Sequence, residues 1–119
     1  MMQLYQGAKE QWNTFVAAHA EDGGVLQSWE WGELEEKEEY KFWRLVWEQD
    51  GVLIAACLLV EWKLSPLRAG PRQRRWPFGW TYLYANRGPV LKFPISNFQF
   101  SNIVADLEKF AKERGAIFL

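Results

Sequence analysis

The stretch KFWRLVWEQDGVLIAACLLVEWKL, residues 41–64, narrows the possible folds more than any other part of the chain. Its Asp50-Gly51 pair is a strong hairpin signal, because a two-residue type I′ turn needs positive φ at both central positions. Residues 52–60, VLIAACLLV, are apolar at odd and even positions alike. Side chains alternate between the two faces of a strand, so this strand must be covered on both sides. The hairpin therefore belongs inside a sheet flanked by helices on both faces. The apolar run is too short to cross a bilayer.

The remaining elements fit around that sheet. In residues 8–20, Trp12, Phe15, Val16 and His19 recur at helical spacing and predict an amphipathic helix, which EDGG at 21–24 ends. Ser28 is placed to cap a second helix, with Trp31 and Leu34 facing inward and a Glu-rich side facing water. WTYLYA, residues 80–85, reads as a third strand, NRGP as a turn, and VLKFP as an extended exit. Ser96 with Gln99 three positions on forms a capping box. Behind it, Ile103, Val104, Leu107, Phe110 and Ala111 make the apolar stripe of a third helix, which Gly115 ends. Residues 116–119, AIFL, begin another strand. The order is helix, helix, strand, strand, strand, helix, strand, a mixed α/β class with a mainly antiparallel sheet. No repeat or linker divides residues 1–119, so they form a single domain.

Composition excludes several kinds of chemistry. One cysteine, Cys57, and one histidine, His19, cannot make a disulfide framework or a Cys/His metal site. Cys57 lies in the apolar run and reads as a small buried hydrophobe. The opening MMQLYQGAKEQW has neither the basic start nor the apolar run of a signal peptide, so a cytoplasmic location is expected. Net charge is −1, but residues 1–62 hold 12 acidic and 4 basic side chains, whereas residues 63–119 hold 3 and 10. That asymmetry fits an anionic partner on the basic half, or a chain whose two solvated surfaces merely offset each other. Aromatic residues reach 17%, enough either for a bulky core or for a core plus a ligand groove.

Three groups of residues are candidates for binding. In YLYANRGPV, residues 82–90, Gly88 allows a tight turn, Pro89 fixes φ, and Arg87 can grip a phosphate or carboxylate. The same segment also reads as a plain strand-end turn with a solvated arginine. Tyr82 and Tyr84 share one face of their strand and place two hydroxyls beside that turn, or simply pack into the core. Arg68, Arg72, Arg74 and Arg75, with Trp76, form LRAGPRQRRW, whose charges and aromatic ring suit an RNA backbone, a diphosphate or anionic headgroups. A soluble loop is the plainer reading.

The order of elements resembles the front half of the GNAT acyltransferase fold. In that fold the ligand enters a wedge, which here would open between residues 80–85 and 116–119. Acetyl-CoA enzymes of the fold hold a pyrophosphate on a glycine-rich helix start. Residues 86–100, NRGPVLKFPISNFQF, lack the second glycine, and Pro89 removes a donor, so acetyl-CoA is disfavoured. VLQSWEWGEL (25–34), WPFGWTYLYANRGPV (76–90) and FAKERGAIFL (110–119) instead resemble, in order, the Fem-type aminoacyltransferases that form peptidoglycan bridges.

That resemblance implies a partial GNAT-like domain, the N-terminal part of a longer two-domain protein and inactive alone. It also implies transfer of an amino acid from aminoacyl-tRNA to the peptide of a lipid-linked or nucleotide-linked muropeptide, with no metal or organic cofactor. Contact with a membrane surface would come through the substrate. The missing half, or a second copy of the chain, would cover the last strand. The resemblance assigns substrate contacts to Arg87, Gly88 and Pro89, to Lys37 beyond the early Trp-Gly, and to Lys92, where relatives often carry an acid. Two other functions fit the residues: a small module binding RNA or another polyanion through the arginine loop, and an acetyl-CoA-dependent acyltransferase of the same fold.

Overall fold

The computed structural model describes residues 2–64 and 80–118. Helix α1 (Lys9–His19) and helix α2 (Trp29–Lys37) are joined by a short 3-10 turn, Val25–Gln27. Strand β1 (Met2–Leu4) precedes them, and the hairpin β2 (Phe42–Gln49) and β3 (Val52–Leu64) follows. Then come β4 (Trp80–Tyr84), the two-residue β5 (Val90–Leu91), α3 (Asn97–Glu113) and β6 (Ile117–Phe118). The sheet order is β1-β2-β3-β4-β6, with β5 also on β3. All pairings are antiparallel except β4 with β6.

The continuous apolar run does what its pattern requires. Ala55, Cys57 and Leu59 of β3 face a core closed by Ile103, Leu107, Phe110 and Ala111 of α3. Ala56, Leu58 and Val60 face the opposite core, closed by Trp12, Phe15 and Val16 of α1. Helices thus cover both faces of the hairpin, as the sequence predicts. Asp50 and Gly51 have φ of 53° and 79°, the double positive φ of the expected turn. The Ser96–Gln99 capping box forms in both directions, with both bonds at 3.0 Å.

Three expectations change. The start of the chain forms β1 on the edge of β2, because Met2 to Leu4 can use the free ladder groups opposite Leu45 to Trp47. Residues 90–91, expected only as an extended exit, form β5 against Ala55 and Ala56. Leu34 does not face inward: it is 45% exposed, while Trp31 is half-buried. Helix α2 packs with its N-terminal part, so its later turns stand clear of the sheet.

Leu107 is fully buried between α3 and the sheet. Replacing it with Ala should cost about 2–5 kcal/mol, because the rigid walls on both sides close the cavity only in part. Urea denaturation measures this as a lower midpoint with an unchanged slope.

Candidate functional site

The site is built where β4 leaves β3. Val60 pairs with Tyr84 and Ala56 pairs with Val90. Five residues, 85–89, therefore stand opposite three, 57–59. The excess chain bulges out as a corner that carries Arg87, Gly88 and Pro89. Arg87 has φ of +56°, and the Gly88–Pro89 peptide is cis. The corner closes with the Gly88 N–H donating to the Ala85 carbonyl at 3.3 Å.

The bulge leaves both ladder groups of Leu58 without a strand partner, and a side chain takes its place. Gln27 is 2% exposed. Its Oε1 accepts from the Leu58 N–H at 2.7 Å. Its Nε2 donates to the Leu58 carbonyl at 3.2 Å and to the Asn86 carbonyl at 2.9 Å. A Cβ at Gly88 would stand 2.8 Å from the carboxamide, so glycine is needed there for space. The Gln27 carbonyl in turn accepts from the Trp12 indole at 2.8 Å, which ties the 3-10 turn to α1.

Arg87 itself is solvent-facing. Its side chain is 69% exposed and its Nε lies 3.6 Å from Asp22 Oδ2, an ion pair too open to add much stability. Asp22 is held by its own loop, accepting from the Gly24 N–H at 3.0 Å. Between this corner and the end of α1 lies a cleft of about 260 Å3 lined by His19, Asp22, Arg87, Pro89, Leu91 and Phe93. His19 is half-buried and its ring lies 4.6 Å from that of Phe15, the packed arrangement expected of a helix-face histidine.

The other candidates are placed as follows. Tyr84 is 39% exposed, and its hydroxyl reaches Asn86 Oδ1 at 3.3 Å, beside the corner. Tyr82 pairs with Trp62 on one side and Ile117 on the other in the backbone register. Lys92 follows β5, is exposed, and lines a neighbouring cleft that shares His19 with the first. Lys37 ends α2, and the chain beyond it is fixed by Tyr40 stacking on Trp62 at 4.7 Å. Arg68, Arg72, Arg74, Arg75 and Trp76 lie outside the described residues. The expected wedge between the third strand and the last is closed over the described residues. Tyr82 with Ile117 and Leu83 with Phe118 form a parallel ladder there, because α3 returns the chain close enough to pair.

Sequence reasoning passed over two residues that shape this region, Gln27 and Arg44. Arg44 reaches from β2 across the Trp29 ring at 3.6 Å and donates to the Trp29 carbonyl at 2.9 Å. Its Nη2 would meet a Cβ on Gly32 at 2.6 Å, which accounts for the glycine of the early Trp-Gly pair. Burial lowers the Arg44 pKa against the pull of Glu33, Glu36 and Glu30. Among the described residues no group of His, Cys, Asp and Glu could hold a metal ion. No described helix is long and apolar enough to cross a membrane.

The sheet order, the bulged fourth strand and the parallel strand after α3 define a mixed α/β domain with a GNAT-like fold. Residues 8–119 match the FemAB family, and the chain belongs to that family. A crystal structure of FemX has the same fold, with a TM-score of 0.68 and 21% identity over 96% of this chain. The chain spans about a quarter of that FemX chain, 25%. No curated protein sequence matches the chain significantly.

Cys57 is fully buried and its thiol pKa is pushed far up by desolvation, which rules it out as a nucleophile near neutral pH. Iodoacetamide should leave Cys57 unmodified in the native protein and alkylate it fully in guanidinium chloride, as read by intact mass.

Proposed function

We propose that this chain is the N-terminal portion of a tRNA-dependent aminoacyltransferase that adds amino acids to the peptide of a peptidoglycan precursor. FemAB-family membership supports the reaction class. The observation that carries the site is the Arg87 corner, whose backbone is held from behind by the part-buried Gln27–Asn86 hydrogen bond while its guanidinium is left in solvent. A fixed, outward arginine suits an anionic part of the precursor, its diphosphate first. The corner, more than a wedge, is thus the proposed substrate anchor, with Tyr84 beside it and Lys92 in the adjoining cleft.

The chemistry is acyl transfer. An amine of the precursor peptide attacks the ester carbonyl of aminoacyl-tRNA. An amide bond forms, the ester C–O bond breaks, and the tRNA hydroxyl leaves with a proton. Such a reaction depends on holding the two substrates together, excluding water and stabilising the oxyanion. This chain supplies part of the precursor's grip, and we assign no catalytic residue within it. The rest of the transferase, and the tRNA contacts, belong to a longer protein acting in the cytoplasm, where a lipid-linked precursor would bring it to the membrane surface.

An acetyl-CoA reading finds little support at the start of α3. There Ser96 accepts from the Gln99 N–H, and Gln99 accepts from the Ser96 N–H, so the helix's own side chains satisfy donors that a pyrophosphate would need.

Titration of the protein with nucleotide-linked muropeptide, with tRNA and with acetyl-CoA separates the readings. Arg87→Ala should weaken muropeptide binding about tenfold, the loss of about 1.4 kcal/mol expected for one charge-assisted contact. Its melting temperature should stay within about two degrees, since the side chain is exposed. Unchanged muropeptide affinity removes the anchor. Steeply salt-dependent RNA binding without muropeptide binding would make the chain a polyanion module instead. Stabilisation by millimolar acetyl-CoA would favour the acetyltransferase.

A further inference from the structure

Gln27 is the only polar residue among the buried core positions of the described chain, and its carboxamide contacts the corner from behind. We propose that Gln27 is the positioning residue for Arg87: its carboxamide replaces the strand segment missing beside Leu58 and sets the path of Asn86 to Gly88, so that the guanidinium faces outward at a fixed point. The proposal rests on the reading of Arg87 as the anchor and adds what orients it.

Arg87 sits in the left-handed region at φ +56°, a conformation that costs a non-glycine residue about 1–2 kcal/mol. Such a backbone persists only when its neighbours hold it. Both neighbours touch Gln27: the Asn86 carbonyl accepts from Nε2 at 2.9 Å, and Gly88 packs against the carboxamide, with room for no Cβ. The same carboxamide is bound to Leu58, in the middle of the longest and best buried strand. Gln27 therefore transmits the rigidity of β3 directly to the two residues flanking Arg87. A hydrophobic side chain of equal size would fill the space. It would leave Leu58 N–H, Leu58 C=O and Asn86 C=O unpaired, and the corner would lose its register with the sheet.

The test compares Gln27→Met, Arg87→Ala and the double variant of the full chain, with nucleotide-linked muropeptide as the probe and amide hydrogen exchange as a second readout. In Gln27→Met the Gly88 and Leu58 amides should exchange at least about tenfold faster while amides of α3 are unchanged. Probe affinity should fall about tenfold, and the double variant should bind no worse than Arg87→Ala alone, since Gln27 acts through Arg87. Losses that multiply in the double variant would overturn the positioning role, as would wild-type affinity and exchange in Gln27→Met. Should Gln27→Met fail to fold, Gly88→Ala disturbs the same contact from the other side with all hydrogen-bonding groups kept, and the same comparison is made with it. If Arg87→Ala binds the probe as tightly as the parent, the anchor reading is lost. Exchange at Gly88 in the Gln27 or Gly88 variant then decides alone whether Gln27 sets the corner, and an unchanged rate sinks it.

Discussion

One buried carboxamide holds the corner of this domain to its central strand. Where β4 bulges away from β3, five residues face three, and Leu58 would lose both ladder partners in the interior. An unpaired buried amide or carbonyl costs about 1–3 kcal/mol, so a gap of that kind survives only if something fills it. Gln27 fills it with one acceptor and two donated bonds. The 3-10 turn that carries Gln27 must then be held in place, and the Trp12 indole on α1 does this through the Gln27 carbonyl. Helix, turn, central strand and corner are thereby linked by four hydrogen bonds.

This arrangement divides the labour between the two faces of the sheet. On one face, α3 lies flat over Ala55, Cys57 and Leu59 and makes an apolar core that includes no described ligand candidate. On the other, α1 and α2 pack over Ala56, Leu58 and Val60, and here the polar devices collect: Gln27, Arg44 over Trp29, and the Asp22–Arg87 pair. The first face is closed by apolar packing, and the second also holds side chains that fix the corner and the start of α2. A corner attached to a central strand, in place of a free loop, has its backbone path set by the sheet.

Much of the fold was legible from residue types. The doubly apolar run at 52–60, the Asp50-Gly51 turn and the Ser96–Gln99 box each rest on local chemistry, and each forms as expected. Strand β1 carries too little signal to be expected, because three residues are too few to establish a period and its pairing depends on an edge 41 to 45 residues away in sequence. Leu34 was misplaced because helical spacing says which residues share a face but not how far along the helix that face stays covered. The corner proposed as the anchor was legible in outline, since Arg-Gly-Pro announces a tight turn with a charge on it. The role proposed for Gln27 was not: the residue lies in VLQSWEWGEL, which carries the family resemblance, but its partners lie 31 and 59 residues away.

Residue identity and spacing alone therefore settle the covered hairpin, the helix caps, the absence of a Cys/His metal site and the family likeness, because each depends on neighbours within a few positions or on mere counts. Tertiary structure alone decides that β4 and β6 pair instead of splaying over the residues described, and that glycine at 88 makes room for a side chain from residue 27. These are consequences of which backbone groups are left unpaired once the sheet has assembled, and an unpaired group has no signature until the chain that should have met it has turned away.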